Sequence, residues 1–210
     1  MLKVGLTGSI AVGKSYVCEV LRELGAFVLD ADQTARKVVE PNTVGWQKIV
    51  DNFGKEALQS DNTLDRVKLS SIIFSDESKR QLMNSIVHPL VFEAQNDWLV
   101  EREVENPNAI AVIDAALMIE SGGYKRFEKL VVVWCKPEIQ LERLMLRNNL
   151  SRDEALKRIN AQMPQEEKKR FADYLIDTSD GFDATKLQTI EIYRQLQLLT
   201  NEKRKTENGK

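Results

Sequence analysis

Short apolar runs alternate along this chain with longer stretches whose apolar residues recur at intervals of three and four. Leu2 to Leu6, Ala26 to Leu29, Ala109 to Ile113, Leu130 to Trp134 and Tyr174 to Ile176 are brief, nearly continuous and bounded by polar residues, the pattern of strands buried on both faces. Amphipathic segments lie between them: in Tyr16 to Leu24, Val17, Val20, Leu21 and Leu24 share one helical face. Strands separated by helices predict an α/β fold, here a parallel five-stranded sheet flanked by helices. Ligands of such sheets sit beyond the carboxyl ends of the strands, which directs attention to Asp30, Asp32, Asp114, Glu120 and Asp177.

The rhythm breaks between Asp32 and Ala109. Strand signal is weak there, and helical spacing covers Gln33 to Val39, Val44 to Phe53, Arg66 to Phe74 and Glu77 to Glu103, the last with a break expected near Pro89. This interval reads as a helical insertion. A second helical excursion, Pro137 to Ala172, is dense in Arg and Lys, and the polar Asn201 to Lys210 tail reads as frayed. A chain of 210 residues with 42% hydrophobic and 30% charged residues can bury one good core. Its formal charge of −2 argues against a general nucleic-acid coat protein, which needs a basic surface to displace counterions. Cys18 and Cys135 form no C-x-x-C pair, so neither a zinc site nor a disulfide framework is indicated, and both are expected reduced and buried. With no apolar stretch of membrane-spanning length and a first strand that begins at once, the expected location is the cytoplasm.

One segment carries chemistry directly. Gly8-Ser9-Ile10-Ala11-Val12-Gly13-Lys14-Ser15 is a complete G-x-x-x-x-G-K-[ST] phosphate-binding loop between the first apolar run and the first helix. Its backbone N–H groups cradle phosphate oxygens, Lys14 brings a positive charge to the β and γ phosphates, and the Ser15 hydroxyl suits Mg²⁺. Gly8, Ser9, Ile10, Ala11, Val12, Gly13, Lys14 and Ser15, with the following Tyr16, are therefore the expected ATP contacts. Kinases, GTPases, transporter ATPases and helicases all use this loop, so the rest of the chain must decide among them.

Asp30-Ala31-Asp32 closes the second apolar run. A carboxylate there suits a kinase, where it accepts the bond or proton of an attacking hydroxyl and helps hold the metal; either Asp also suits a helix N-cap. Asp32 is the catalytic candidate and Asp30 the capping one. Arg143 and Arg147, four apart on one helix face after the fourth run, can neutralise a transferring phosphoryl group. The mixed charges around them otherwise describe a solvated face. His88, the single histidine, precedes Pro89; no nucleophile motif accompanies it, which leaves substrate binding or helix termination.

Taken together these residues resemble the dephospho-CoA kinase family. The resemblance rests on Gly5-Leu6-Thr7-Gly8 through Ser15, Asp30-Ala31-Asp32 with Arg36 and Glu40-Pro41, and His88-Pro89-Leu90, and spans about residues 2 to 195. It continues in Asp114-Ala115-Ala116-Leu117-Met118-Ile119-Glu120, similar to the family's acid-x-Pro-Leu-Leu-aromatic-Glu segment, and in Arg143, Arg147, Arg152, Arg158-Ile159 and Gln162, which match its lid. The resemblance implies a P-loop kinase fold that transfers the ATP γ-phosphate to the ribose 3′-hydroxyl of dephospho-CoA, with Mg²⁺ as cofactor. It implies a nucleotide core of residues 1–32, 109–142 and 172–200, a CoA-binding insertion 33–108, an Arg-rich lid 143–171 and a tail 201–210. By position, Asp32, Lys14 and Arg147 would be catalytic, Ser15 and Asp32 metal-holding, and Arg143 and Arg147 nucleotide-binding. Asp32, His88, Leu117, Glu120, Arg158 and Gln162 would meet the acceptor.

The chain departs from the family pattern in places. The family loop usually reads Gly-Gly-x-Gly-Ser-Gly-Lys-Ser-Thr, so Ser9 and Ala11 carry Cβ atoms where positive φ is expected, at about 1 kcal/mol each. Ala116 replaces a proline, Ile119 an aromatic, and Ile176-Asp177-Thr178 stands where Ile-x-Asn is usual beside the adenine. No Asn-Lys-x-Asp tetrad or Ser-Gly-Gly-Gln signature is present to suggest a GTPase or transporter ATPase. Another P-loop small-molecule kinase shares the loop and lid, and the altered loop also suits a nucleotide-binding regulatory protein.

Overall fold

The computed structural model describes residues 1–208 and divides the chain into two compact units, 1–30 with 102–210 and 31–101. The first unit holds β1 (Leu2–Thr7), β2 (Phe27–Asp30), β3 (Ile110–Asp114), β4 (Lys129–Trp134) and β5 (Tyr174–Asp177) in one sheet of order β2-β3-β1-β4-β5. Every pairing is parallel. The five runs expected as strands are these five, each ending within a residue or two of its expected bounds. Asp30, Asp114 and Asp177 are the last residues of their strands, and the register sets Asp30 and Leu6 beside Asp114.

Alternation decides what each strand contributes. Leu2, Val4, Leu6, Ile110, Val112, Val131, Val133 and Ile176 join one buried cluster with Val17, Cys18 and Leu21 of α1 (Lys14–Glu23). That cluster also takes Ile192, Tyr193 and Leu196, from the long last helix, Gly181–Asn208. The spacing of these side chains on each helix gives one apolar stripe, which the sheet covers. Beyond β4 lie α6 (Pro137–Asn148), α7 (Arg152–Asn160) and α8 (Gln165–Lys169), followed after β5 by that last helix, α9. Ser151 and Glu154 form a reciprocal capping box that starts α7, and Asn149 at φ 49 ends α6.

The second unit is helical: α2 (Ala31–Lys37), α3 (Val44–Phe53), α4 (Arg66–Ser75) and most of α5 (Glu77–Glu105). The Thr43 hydroxyl and the Asp65 carboxylate cap α3 and α4 by accepting from Trp46 and Lys68 N–H. Val39, Ile49, Phe53, Leu64, Leu69 and Ile86 form its own core. Two expectations are corrected. α5 runs through Pro89 without a break, although proline supplies no N–H to the Ser85 carbonyl. The expected frayed tail is helical as far as Asn208, and residues 209–210 lie outside the described ones. Among the described residues no helix is long and apolar enough to cross a membrane.

Candidate active site

The phosphate loop leaves the central strand β1 at its carboxyl end and turns into α1, whose first residue is Lys14. Gly13 takes φ 89, a left-handed turn, and stands at the helix N-cap without a capping side chain, so the first N–H groups of α1 remain for an anion. Ala11 also adopts positive φ, 61°, as expected, whereas Ser9 does not, so the strain expected at both positions falls on Ala11 alone. Ile10 and Ala11 pack into a small apolar cluster with Leu141, Leu144 and Ala155 of α6 and α7, contacts that offset part of that strain.

Lys14 Nζ lies 3.2 Å from Asp114 Oδ1, both side chains largely buried. Cys18 donates its thiol to Asp114 Oδ2 at 3.5 Å. Burial, with the neighbouring Asp114 charge, pushes the Cys18 thiol far above its ordinary value, so it remains a protonated donor and no nucleophile. Oδ1 of Asp114 is buried and, among the described residues, accepts no aligned hydrogen bond; the ammonium sits within ion-pair range. Asp114 was visible in the sequence as a strand-end carboxylate, but its pairing with Lys14 joins residues a hundred positions apart and leaves no local signal.

Arg143 is half-buried and committed. Its Nη1 donates to Thr178 Oγ1 and its Nη2 to the Thr178 carbonyl, each at 2.8 Å. Thr178 Oγ1 in turn donates to the Val12 carbonyl in the phosphate loop at 2.7 Å. Thr178 thus bridges the loop to the arginine expected at the nucleotide. Arg147 is exposed, its Nε donating to the adjacent Asn148, and Arg158 is exposed on α7.

Gln162, expected at the acceptor, reaches the phosphate loop: its Oε1 accepts from the Ile10 N–H at 2.8 Å. Gln140 Nε2 donates to the Ile10 carbonyl at 2.8 Å, and Gln165 Nε2 to Gln140 Oε1 at 2.7 Å. Leu117 is 52% exposed in the loop after β3. Glu120, at the end of that loop, pairs with Lys168 at 2.8 Å. In the helical unit, Asp32 is exposed at the start of α2 and His88 is exposed on α5, its ring 6.2 Å from that of Phe92.

Ser15 Oγ and the Asp114 carboxylate are hard oxygen donors, and the unaligned Oδ1 fits a Mg²⁺ ion that travels with a nucleotide. A parallel sheet with this loop on its central strand, a lysine and a carboxylate at its mouth and arginines beyond β4 defines a P-loop phosphotransferase. Comparison with known proteins narrows the class. The family model for dephospho-CoA kinase matches residues 2–183. A dephospho-CoA kinase of Syntrophus aciditrophicus is 42% identical over 196 residues, 93% of this chain and 83% of the relative. A solved Thermus thermophilus structure gives a TM-score of 0.80 at 29% identity, covering 92% of this chain and 96% of that one. The dephospho-CoA kinase of Campylobacter jejuni gives 0.70 at 26%, covering 93% and 96%. The chain belongs to the dephospho-CoA kinase family.

Proposed function

We propose that this protein transfers the γ-phosphoryl group of ATP to the ribose 3′-hydroxyl of dephospho-CoA, yielding coenzyme A and ADP. The observation that carries the reading is the Lys14–Asp114 pair at the mouth of a complete phosphate loop, in a chain whose relatives bear that activity in their names. In the step, the acceptor oxygen forms a bond to Pγ, the bond to the β–γ bridging oxygen breaks, and ADP leaves. Lys14 and the N–H groups of the loop and α1 hold the phosphates, and Lys14 is drawn from Asp114 toward them. Asp32 orients the acceptor hydroxyl and takes its proton, and Arg147 carries charge stabilisation. Ser15 and Asp114, with Asp32 as the further carboxylate, are the groups that would hold Mg²⁺. The ion's contribution, when bound, is to neutralise the charge that develops on the β and γ phosphates. His88, Leu117, Glu120 and Arg158 serve the acceptor, and Gln162 serves it through the loop it grips.

The test is ADP release by purified protein with ATP and Mg²⁺, with and without dephospho-CoA, and product mass. ADP and coenzyme A formed in equal amounts support the reading. Nucleotide binding without coenzyme A refutes it and favours a different acceptor or a regulatory role.

A further inference from the structure

Lys168 has no solvent-exposed surface at all, in a segment whose other charges look like an ordinary wet face. Its ammonium donates to the Ala116 carbonyl at 2.9 Å and pairs with Glu120 Oε1 at 2.8 Å. The Ala116 carbonyl accepts a second bond from Thr7 Oγ1 at the end of β1, 3.3 Å away. Glu120 Oε1 likewise accepts a second bond, from the Met163 N–H at 3.3 Å. Two anchors from residues 163–168 therefore converge on one carboxylate oxygen. Among the described residues no hydrogen bond or ion pair falls on the other oxygen, Oε2, and the side chain is 23% exposed.

An isolated buried ammonium is costly, and an apolar residue of the same length would often stabilise such a place better. Fixing the direction of another group is what the charge accomplishes here. We infer that Lys168 is a positioning residue. It clamps Glu120 by Oε1 so that Oε2 is presented to the acceptor as a fixed hydrogen-bond acceptor for a hydroxyl or amino group. The inference rests on the reading of Glu120 as an acceptor contact. The same stretch of chain holds the phosphate loop through Gln162 and Ile10. That contact does not involve Lys168, whose own bonds fall on Glu120 and the Ala116 carbonyl.

The experiment is steady-state kinetics of the full chain as Lys168→Met, Glu120→Gln and the double variant, with thermal unfolding of each. Each single variant is expected to raise KM for dephospho-CoA about tenfold, the scale of one charge-assisted hydrogen bond, with KM for ATP within about twofold. The double variant should be no worse than the more affected single one, because both remove the same interaction. An unchanged acceptor KM in Glu120→Gln overturns the reading of Glu120 itself. A raised KM in Glu120→Gln with none in Lys168→Met overturns the positioning role alone, as does an equal rise of both KM values in Lys168→Met. If Lys168→Met is unfolded at the assay temperature, Glu120→Asp decides. Shortening the side chain by one methylene withdraws the carboxylate from the position Lys168 holds, so an unchanged acceptor KM there also overturns the inference.

Discussion

Replacing Gly8 by alanine tests how the phosphate loop is seated. Gly8 has no positive φ, so its requirement is one of space: a Cβ there would lie 2.3 Å from the Val133 carbonyl oxygen of β4 and 2.9 Å from Val12 Cγ2. The nearer neighbour is backbone within the sheet and cannot rotate away, so the loop must lift by about 1 Å before contact becomes ordinary. Overpacking of this kind costs about 2–3 kcal/mol, and for a chain of this size that lowers the unfolding midpoint by roughly 4–12 °C. Gly122→Ala serves as the control, because at φ 74 a Cβ meets nothing within 4 Å. It should lose only about 1 kcal/mol, from the left-handed backbone, and a correspondingly small shift. Thermal unfolding of both variants, with and without ATP and Mg²⁺, reads the difference, and Gly8→Ala should also lose most of the stabilisation that nucleotide gives. A midpoint for Gly8→Ala no lower than that of Gly122→Ala would show that the β4 carbonyl yields freely and refute the argument.

Thr178→Val keeps the shape but leaves the Val12 carbonyl without its donor and Arg143 with one bond fewer; it should raise KM for ATP about tenfold, while Thr178→Ser stays near wild type, and equal values for the two would remove the hydroxyl from the nucleotide site. Because burial and Asp114 push the Cys18 thiol upward, its alkylation in the native enzyme should not accelerate between about pH 7 and 9, where a free thiol ionises; mass spectrometry showing a free-thiol pH profile at Cys18 would contradict this. Asp32→Asn should bind ATP normally and lose at least about a hundredfold in turnover, whereas Lys14→Ala should weaken both, as read by nucleotide titration beside the coupled assay; full turnover by Asp32→Asn removes it from the chemistry.

The strands and the phosphate loop were legible because their signals are local: an apolar run needs only its own residues, and Gly8 to Ser15 is contiguous. Lys168 was not. It lies among Glu166, Glu167, Lys169 and Arg170, where charge density reads as a solvated surface, and its partners sit at 116 and 120. Thr178, Gln140 and Gln165 were opaque for the same reason, and Gln162 was named for the acceptor but not for its bond to the loop, since each matters through a bond to a segment far away in sequence. Pro89 misled in the other direction. A rule about one missing N–H was outweighed by a long helix whose remaining ladder tolerates the gap. At Ser9 the family pattern suggested a strained backbone that the loop does not need, while at Ala11 it was right.

The embedding of Ile10 and Ala11 among Leu141, Leu144 and Ala155 has a consequence for engineering and for divergence. With the Ile10 amide and carbonyl also gripped by Gln162 and Gln140, the nucleotide cradle and α6–α7 form one inherited block. A glycine-rich loop transplanted from a relative would ease the backbone at position 11 but open a void beneath α6. A larger residue at Ala155, which has no exposed surface, would instead press on the cluster that holds the loop. A larger residue at Ala155 should therefore be better tolerated beside glycine at position 11 than alone.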